Sequence, residues 1–174
     1  MMKSILVAVF ALALAGCAGG ARSTEMTVIP STQIAMTSPL HQAVIVGSVT
    51  GGESTNPLWT SQVSNPDFQN ALQASLTAEG MLATGSGRYR LDVSLQKLDQ
   101  PLLGFDMTVT STVHYVLTDT ASGKPAFDKV VTEPYTATVG DAFMGVERLR
   151  MANEGSIKKN IQTFLDELIA EFGK

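Results

Sequence analysis

The sequence predicts an α+β two-layer sandwich: a mostly antiparallel sheet with two helices on one face, in the order β-α-β-β-β-α. Three observations predict it. The segments 88–98 and 105–119 alternate apolar and polar residues with the period of two expected of half-buried strands. The segments 65–80 and 156–172 place apolar residues at the three-to-four spacing of an amphipathic helix. A glycine-containing turn at 121–124 folds the second alternating segment back on a third, which makes the pairing antiparallel.

The first strand spans 42–50, where Val44, Ile45, Val46 and Val49 form a β-branched run suited to a strand covered on both faces; Gly51-Gly52 ends it. A polar loop leads to a helix capped by Asn65, with Pro66 in its first turn and Asp67 complementing its dipole. Phe68, Ala71, Leu72, Ser75 and Leu76 make its stripe, and Gly80 is its left-handed stop. In 88–98, Tyr89, Leu91, Val93 and Leu95 face one way, and the parity breaks between Leu95 and Leu98, which predicts a bulge or the strand's end before Pro101. In 105–119, Met107, Val109, Val113, Tyr115 and Leu117 oppose Thr108, Thr110, Thr112 and His114. The partner strand, 127–139, carries Pro134, which puts it at an edge or bends it. Ser156 is read as the cap of the last helix, with Ile157, Ile161, Phe164, Leu165, Leu168 and Phe172 as its stripe. Residues 146–154 also read as helical, with Gly155 as a joint or kink.

Met1-Met2-Lys3 precedes an apolar stretch from Ile5 to Leu14, about 10 residues, the size of a signal-peptide core and too short to span a bilayer. Leu14, Ala15, Gly16 and Cys17 follow and resemble a lipobox, the processing site of bacterial lipoproteins. Cys17 is the sole cysteine of the 174 residues. The resemblance implies cleavage before Cys17 and diacylglycerol plus an N-acyl chain on it; the alternative is an ordinary secretory signal cut after Ala18 or Ala21. The chain divides accordingly into a signal peptide (1–16), a lipidated cysteine with a flexible tether (17–41) and one globular domain (42–174). The tether is rich in Gly, Ser, Thr and Pro and would average roughly 25–30 Å end to end; Met26 to Ile29 could instead add an edge strand closed by Pro30. Ala18 and Gly19 follow the cysteine, and in lipoproteins of enteric bacteria an aspartate at the first of these positions gives inner-membrane retention. Their identity implies the inner leaflet of the outer membrane, facing the periplasm.

About 158 residues remain after cleavage, enough for one core without disulfides or metals. Net charge is −4, and loss of Lys3 with the leader makes it one unit more negative. A mildly acidic chain without a basic run is a poor match for nucleic acid or for headgroup attraction, so membrane attachment falls to the acyl chains.

The order of elements, the lipobox and the segment 65–80 together resemble the small envelope lipoproteins typified by YajG, whose layout is also related to the LPS-assembly lipoprotein LptE and the amino-terminal domain of TolB. Two stretches, Gly51-Gly52-Glu53-Ser54-Thr55-Asn56-Pro57-Leu58-Trp59 and Arg148-Leu149-Arg150-Met151-Ala152-Asn153-Glu154-Gly155, are similar to a proteobacterial lipoprotein family. The resemblance implies a fold and a compartment. It transfers no catalytic residue.

The residues themselves point to binding rather than catalysis. Of the two histidines, His114 has Asp106 and Ser111 nearby in sequence, but Ser111 has the opposite strand parity and faces away. There is no Gly-x-Ser-x-Gly elbow. Two distant histidines do not make a zinc site, and the methionines lack a tight repeat. Gly85-Ser86-Gly87 precedes a strand rather than a helix and reads as a turn. The expectation is therefore no catalytic residue, no metal and no cofactor beyond the acyl chains. The loop Asn56-Pro57-Leu58-Trp59 is a candidate partner contact, or a cap on the core. Arg148, Arg150 and Glu154 form a candidate polar cluster on one helical turn, with Arg150 and Glu154 spaced to pair; it is a solvated face, a brace for the loop around Asp141, or an anion or sugar contact. The expected function is an accessory lipoprotein that contacts another envelope protein. The alternatives are a glycan or LPS binder and an auxiliary lipoprotein of a lipid-transport ABC system.

Overall fold

The computed structural model describes residues 19–56 and 60–172. A short helix α1 (Ser23–Met26) precedes β1 (Val44–Thr50), α2 (Asn65–Glu79), β2 (Tyr89–Asp99), β3 (Met107–Asp119), β4 (Pro125–Ala137) and α3 (Gly145–Phe172). The four strands form one sheet in the order β1-β2-β3-β4, parallel between β1 and β2 and antiparallel elsewhere. This is the α+β architecture expected, with α2 and α3 packed on one face.

Strand parity decides what the core contains. Val109, Val113, Tyr115 and Leu117 of β3 and Tyr89, Leu91, Val93 and Leu95 of β2 are buried under the helices. Phe164 of α3 stacks on Tyr115 with ring centroids 4.1 Å apart and meets Phe127 edge-on. The bulge expected after Leu95 is present, between Leu95 and Lys97. Pro134 lies on β4, an edge strand, opposite Thr110 of β3, the placement the sequence anticipated. Asp119 Oδ1 accepts from the Ala121 and Ser122 amides, and Gly123, at φ 67°, completes the hairpin turn.

Four expectations are corrected. Residues 21–41 are not a free tether: Ala21, Met26, Val28 and Leu40 are buried in the core, and the Val28 amide donates to Ser75 Oγ of α2 at 2.9 Å. That same bond replaces the edge strand considered for 26–29. Strand β1 is half covered rather than buried on both faces, because it is the parallel edge of the sheet. Ser64, not Asn65, caps α2: its Oγ accepts from the Asp67 amide, while Asn65 Oδ1 accepts from Gly52 N at 2.7 Å. A cap of this kind contributes about 1 kcal/mol.

The fourth concerns α3, which runs unbroken through Gly155 and Ser156. Gly155 is a point of close approach: a Cβ there would come within 2.4 Å of the Tyr135 ring. Ser156 is no cap. Its Oγ receives the Ser111 amide at 2.9 Å and donates to Glu133 O at 2.8 Å, fastening α3 to the sheet.

Candidate functional site

The topology collects one set of loops at one end of the sheet. Strands β1 and β2 end there, β3 begins there, β4 ends there, and both long helices start there. The first described residues arrive at the same end. A Cβ on Gly19 would lie 3.6 Å from Arg150 Nη1, and Ala21 N donates to Gln62 O at 3.0 Å.

The predicted cluster of Arg148, Arg150 and Glu154 sits at this end, and each residue has its own task. Glu154 is only 4% exposed, and its Oε1 accepts from both the backbone N and the Nε of Arg22, at 3.0 and 3.1 Å. Arg150 Nη2 donates to Glu147 Oε1 at 2.9 Å, while its Nε stays 3.7 Å from Glu154 Oε1. The expected Arg150–Glu154 pair is thus an ion contact without a hydrogen bond. Arg148 is buried and spends Nη1 on the carbonyls of Ala142 and Phe143, at 2.8 and 2.7 Å. It braces the loop that carries Asp141, one of the roles the sequence allowed. Asp141 closes that loop by accepting from Thr138 N and Oγ1, at 2.7 and 2.8 Å; these bonds hold its carboxyl below the usual carboxylate range.

Beside the cluster lies a groove of about 460 Å³, lined by Arg22, Tyr135, Asp141, Glu147, Arg150 and Lys159 among others. Cations and carboxylates alternate around it, so it carries no strong field of one sign. Arg22, which anchors one wall, is 132 residues from its partner Glu154, and local sequence pattern could not have paired them.

The loop 51–63 borders this end. Asn56 bridges to Thr60, Thr60 Oγ1 donates to Gln100 Oε1 at 3.1 Å, and Gln100 Nε2 donates to Asn153 Oδ1 at 2.8 Å. Pro57, Leu58 and Trp59 lie outside the described residues, as do Leu14, Ala15, Gly16 and Cys17.

His114 stands on the open sheet face, its Nε2 2.6 Å from Asp128 Oδ1. Ser111 is buried on the helix side, bonded within a network with Ser156 and Asn160. The sheet separates them, so they form no nucleophile–base pair. Among the described residues, no three His, Cys, Asp or Glu side chains converge as metal ligands, and no helix is long and apolar enough to cross a membrane.

No family model and no curated protein matches the sequence. Solved structures do share its fold. A Xanthomonas campestris protein of family DUF330 aligns with TM-score 0.60 at 8% identity, covering 83% of this chain and 94% of that one. A Caulobacter crescentus protein assigned to the lipoproteins aligns with TM-score 0.52 at 11% identity, covering 76% of this chain and 90% of that one. A minor lipoprotein from Acinetobacter baumannii aligns with TM-score 0.50 at 11% identity, covering 75% and 94%. At such identities the likeness establishes the shared α+β fold alone.

Proposed function

We propose that this chain is a lipid-anchored envelope lipoprotein that works by binding rather than by chemistry, with another envelope protein as its partner. The observation that carries the reading is the position of the sole thiol. Cys17 follows Leu14-Ala15-Gly16 at the end of a signal-sized apolar run. Only Ala18 separates it from the first described residue of the packed domain. Two of the structural relatives are named as lipoproteins, which supports the same assignment. The binding role is supported by the separation of His114 from Ser111 and by a groove whose charged groups are mostly spent on one another. The inner leaflet of the outer membrane is the proposed location, on the residues Ala18 and Gly19 after the cysteine.

Labelled palmitate incorporated into the full chain, and lost in Cys17→Ser, tests the anchor; label that persists in the variant sinks it. Crosslinking in intact cells tests the partner: the expected result is one reproducible envelope protein joined through the loop around Asn56 or through the groove. Reproducible recovery of nothing but this chain would overturn the partner claim.

A second reading has its own observation. Tyr135 is partly exposed and lines the groove with Asp141, Glu147 and Arg150, a polar pocket beside an aromatic ring that suits a neutral sugar. Detergent-solubilised mature protein that shows no affinity for peptidoglycan fragments or LPS would remove it.

A further inference from the structure

We propose that the loops 100–106 and 138–144 are a membrane-seating surface, with Leu102, Leu103, Phe105 and Phe143 entering the lipid interface beside the acylated cysteine. The inference rests on the lipoprotein reading above and adds to it an orientation and a second point of membrane contact.

These four side chains are 97%, 90%, 86% and 91% exposed; among the described residues Met36, on the segment before β1, is as exposed as Phe105 at 86% but stands outside both loops. They lie on two loops only, and the loops are joined. Met107 pairs with Ala137 at the base, Val139 N donates to Asp106 Oδ1 at 3.4 Å, and Gly145 packs near Met107. Arg148 holds the carbonyls of Ala142 and Phe143, so Phe143 projects from a braced loop. Val139 and Met144, roughly half exposed, extend the patch. Contiguous exposed apolar surface on a fixed scaffold marks a contact, and here the chain itself identifies what it contacts.

Two peptide steps separate Cys17 from Gly19, which bounds their Cα distance at about 8 Å. Gly19 packs on Arg150, and Arg150 lies about 8 Å along α3 from Gly145, the residue after the Phe143–Met144 loop. Acyl chains on Cys17 therefore bring the bilayer to this end of the domain. Arg22 cannot pay out more chain, since Glu154 holds both its backbone and its side chain. Neither loop contains a lysine or arginine, so the contact is apolar and not an attraction to anionic headgroups.

The sole native thiol is blocked by lipidation in the mature protein, so an introduced cysteine is the only site for a thiol-reactive dye. Leu102→Cys, Phe105→Cys and Phe143→Cys, all at exposed positions, and Ser122→Cys at the opposite end of the sheet, are labelled with an environment-sensitive fluorophore. Each is then reconstituted into vesicles of phosphatidylethanolamine with a minority of phosphatidylglycerol. The first three are expected to shift to the blue and to lose most of their emission to doxyl-labelled lipid, unchanged by high salt; the Ser122 label stays water-like. Protein that floats with the vesicles while all labels stay water-like overturns the seating surface and leaves the anchor standing. Protein that fails to float overturns both. A blue shift that appears without vesicles and grows with protein concentration assigns the patch to a second copy and overturns the proposal.

Discussion

Glu154 holds Arg22 twice: one carboxylate oxygen accepts from the backbone N at 3.0 Å and from Nε at 3.1 Å, tying the third turn of α3 to the chain just after its first described residues. The carboxylate is buried and Arg22 is half exposed, so the pair is directional rather than a surface ion contact. Glu154→Ala is expected to cost about 1–3 kcal/mol, chiefly because it leaves the Arg22 backbone N–H without its acceptor; the guanidinium, half exposed and near Glu25, is free to turn to water. Hydrogen exchange should accelerate across 21–28 while the sheet amides keep their protection. Equal acceleration in both would mean that the bond supports the whole domain and not the N-terminal segment.

Gly155 and Tyr135 make a second such pair. A Gly→Ala change inside a helix normally stabilises by about 1 kcal/mol. Here the added methyl would clash with the Tyr135 ring at 2.4 Å, and displacing that ring from α3 outweighs the gain. Gly155→Ala is expected to lower stability by about 1–2 kcal/mol in denaturant titration. The sign reverses in a Tyr135→Ala background, where only the helix preference remains. A stabilising Gly155→Ala in the native background would contradict the packing.

Tyr115 offers a pH test. Its hydroxyl donates to Asn160 Oδ1 at 2.9 Å in a fully buried site, and burial pushes the phenol well above its ordinary value. Below a pH of about 10 the phenol is neutral in folded and unfolded chains alike, and the site contributes fully. Above it the unfolded chain loses the proton and the folded chain does not, so stability falls as pH rises. Absorbance of ionised tyrosine should show one group titrating only with the unfolding transition. Asn160→Ala, which also strands the Val131 carbonyl, should cost about 2–4 kcal/mol.

Asp141 works in the opposite direction. Its carboxyl is depressed by the Thr138 amide and hydroxyl, so its contribution is present above the unfolded value and is lost as pH falls through the lowered folded one. Proton titration by NMR should place Asp141 below an ordinary aspartate, with the Thr138 amide losing protection over the same range. An ordinary titration midpoint would refute the loop closure.

Much of the fold was legible because alternation reports a local fact, namely which side of a sheet is covered. Met107 to Leu117 displays its buried face without reference to any partner. The N-terminal segment was not legible for the converse reason. Met26, Val28 and Leu40 are isolated apolar residues among Ser, Thr and Pro, and their burial depends on contacts such as the one with Ser75, 47 residues from Val28. Ser64 and Asn65 are equally good caps by type; Gly52, across the loop, takes Asn65. Gly155 signals freedom in sequence and close approach in space. At the candidate site, the spacing of Arg148, Arg150 and Glu154 located the cluster. It could not supply Arg22, nor show that Phe105, read as strand, sits on an exposed loop with Leu102 and Leu103.

The grip of α3 on Arg22 has a consequence for how the molecule meets others. A tether of two dozen residues would let the domain sweep a hemisphere and sample partners in any posture. The proposed anchoring at Cys17 leaves a leash of two residues, rooted at the segment that Glu154 holds, and removes that search. In the proposed seating, with Cys17 acylated, the domain is a fixed post whose polar sheet face, with His114 and the threonines, stands side-on to the bilayer. Its distal turn at Ser122–Gly123 points away from the bilayer. A partner must come to that geometry already aligned, and two posts meeting in the plane of one membrane would present the same edges at the same height.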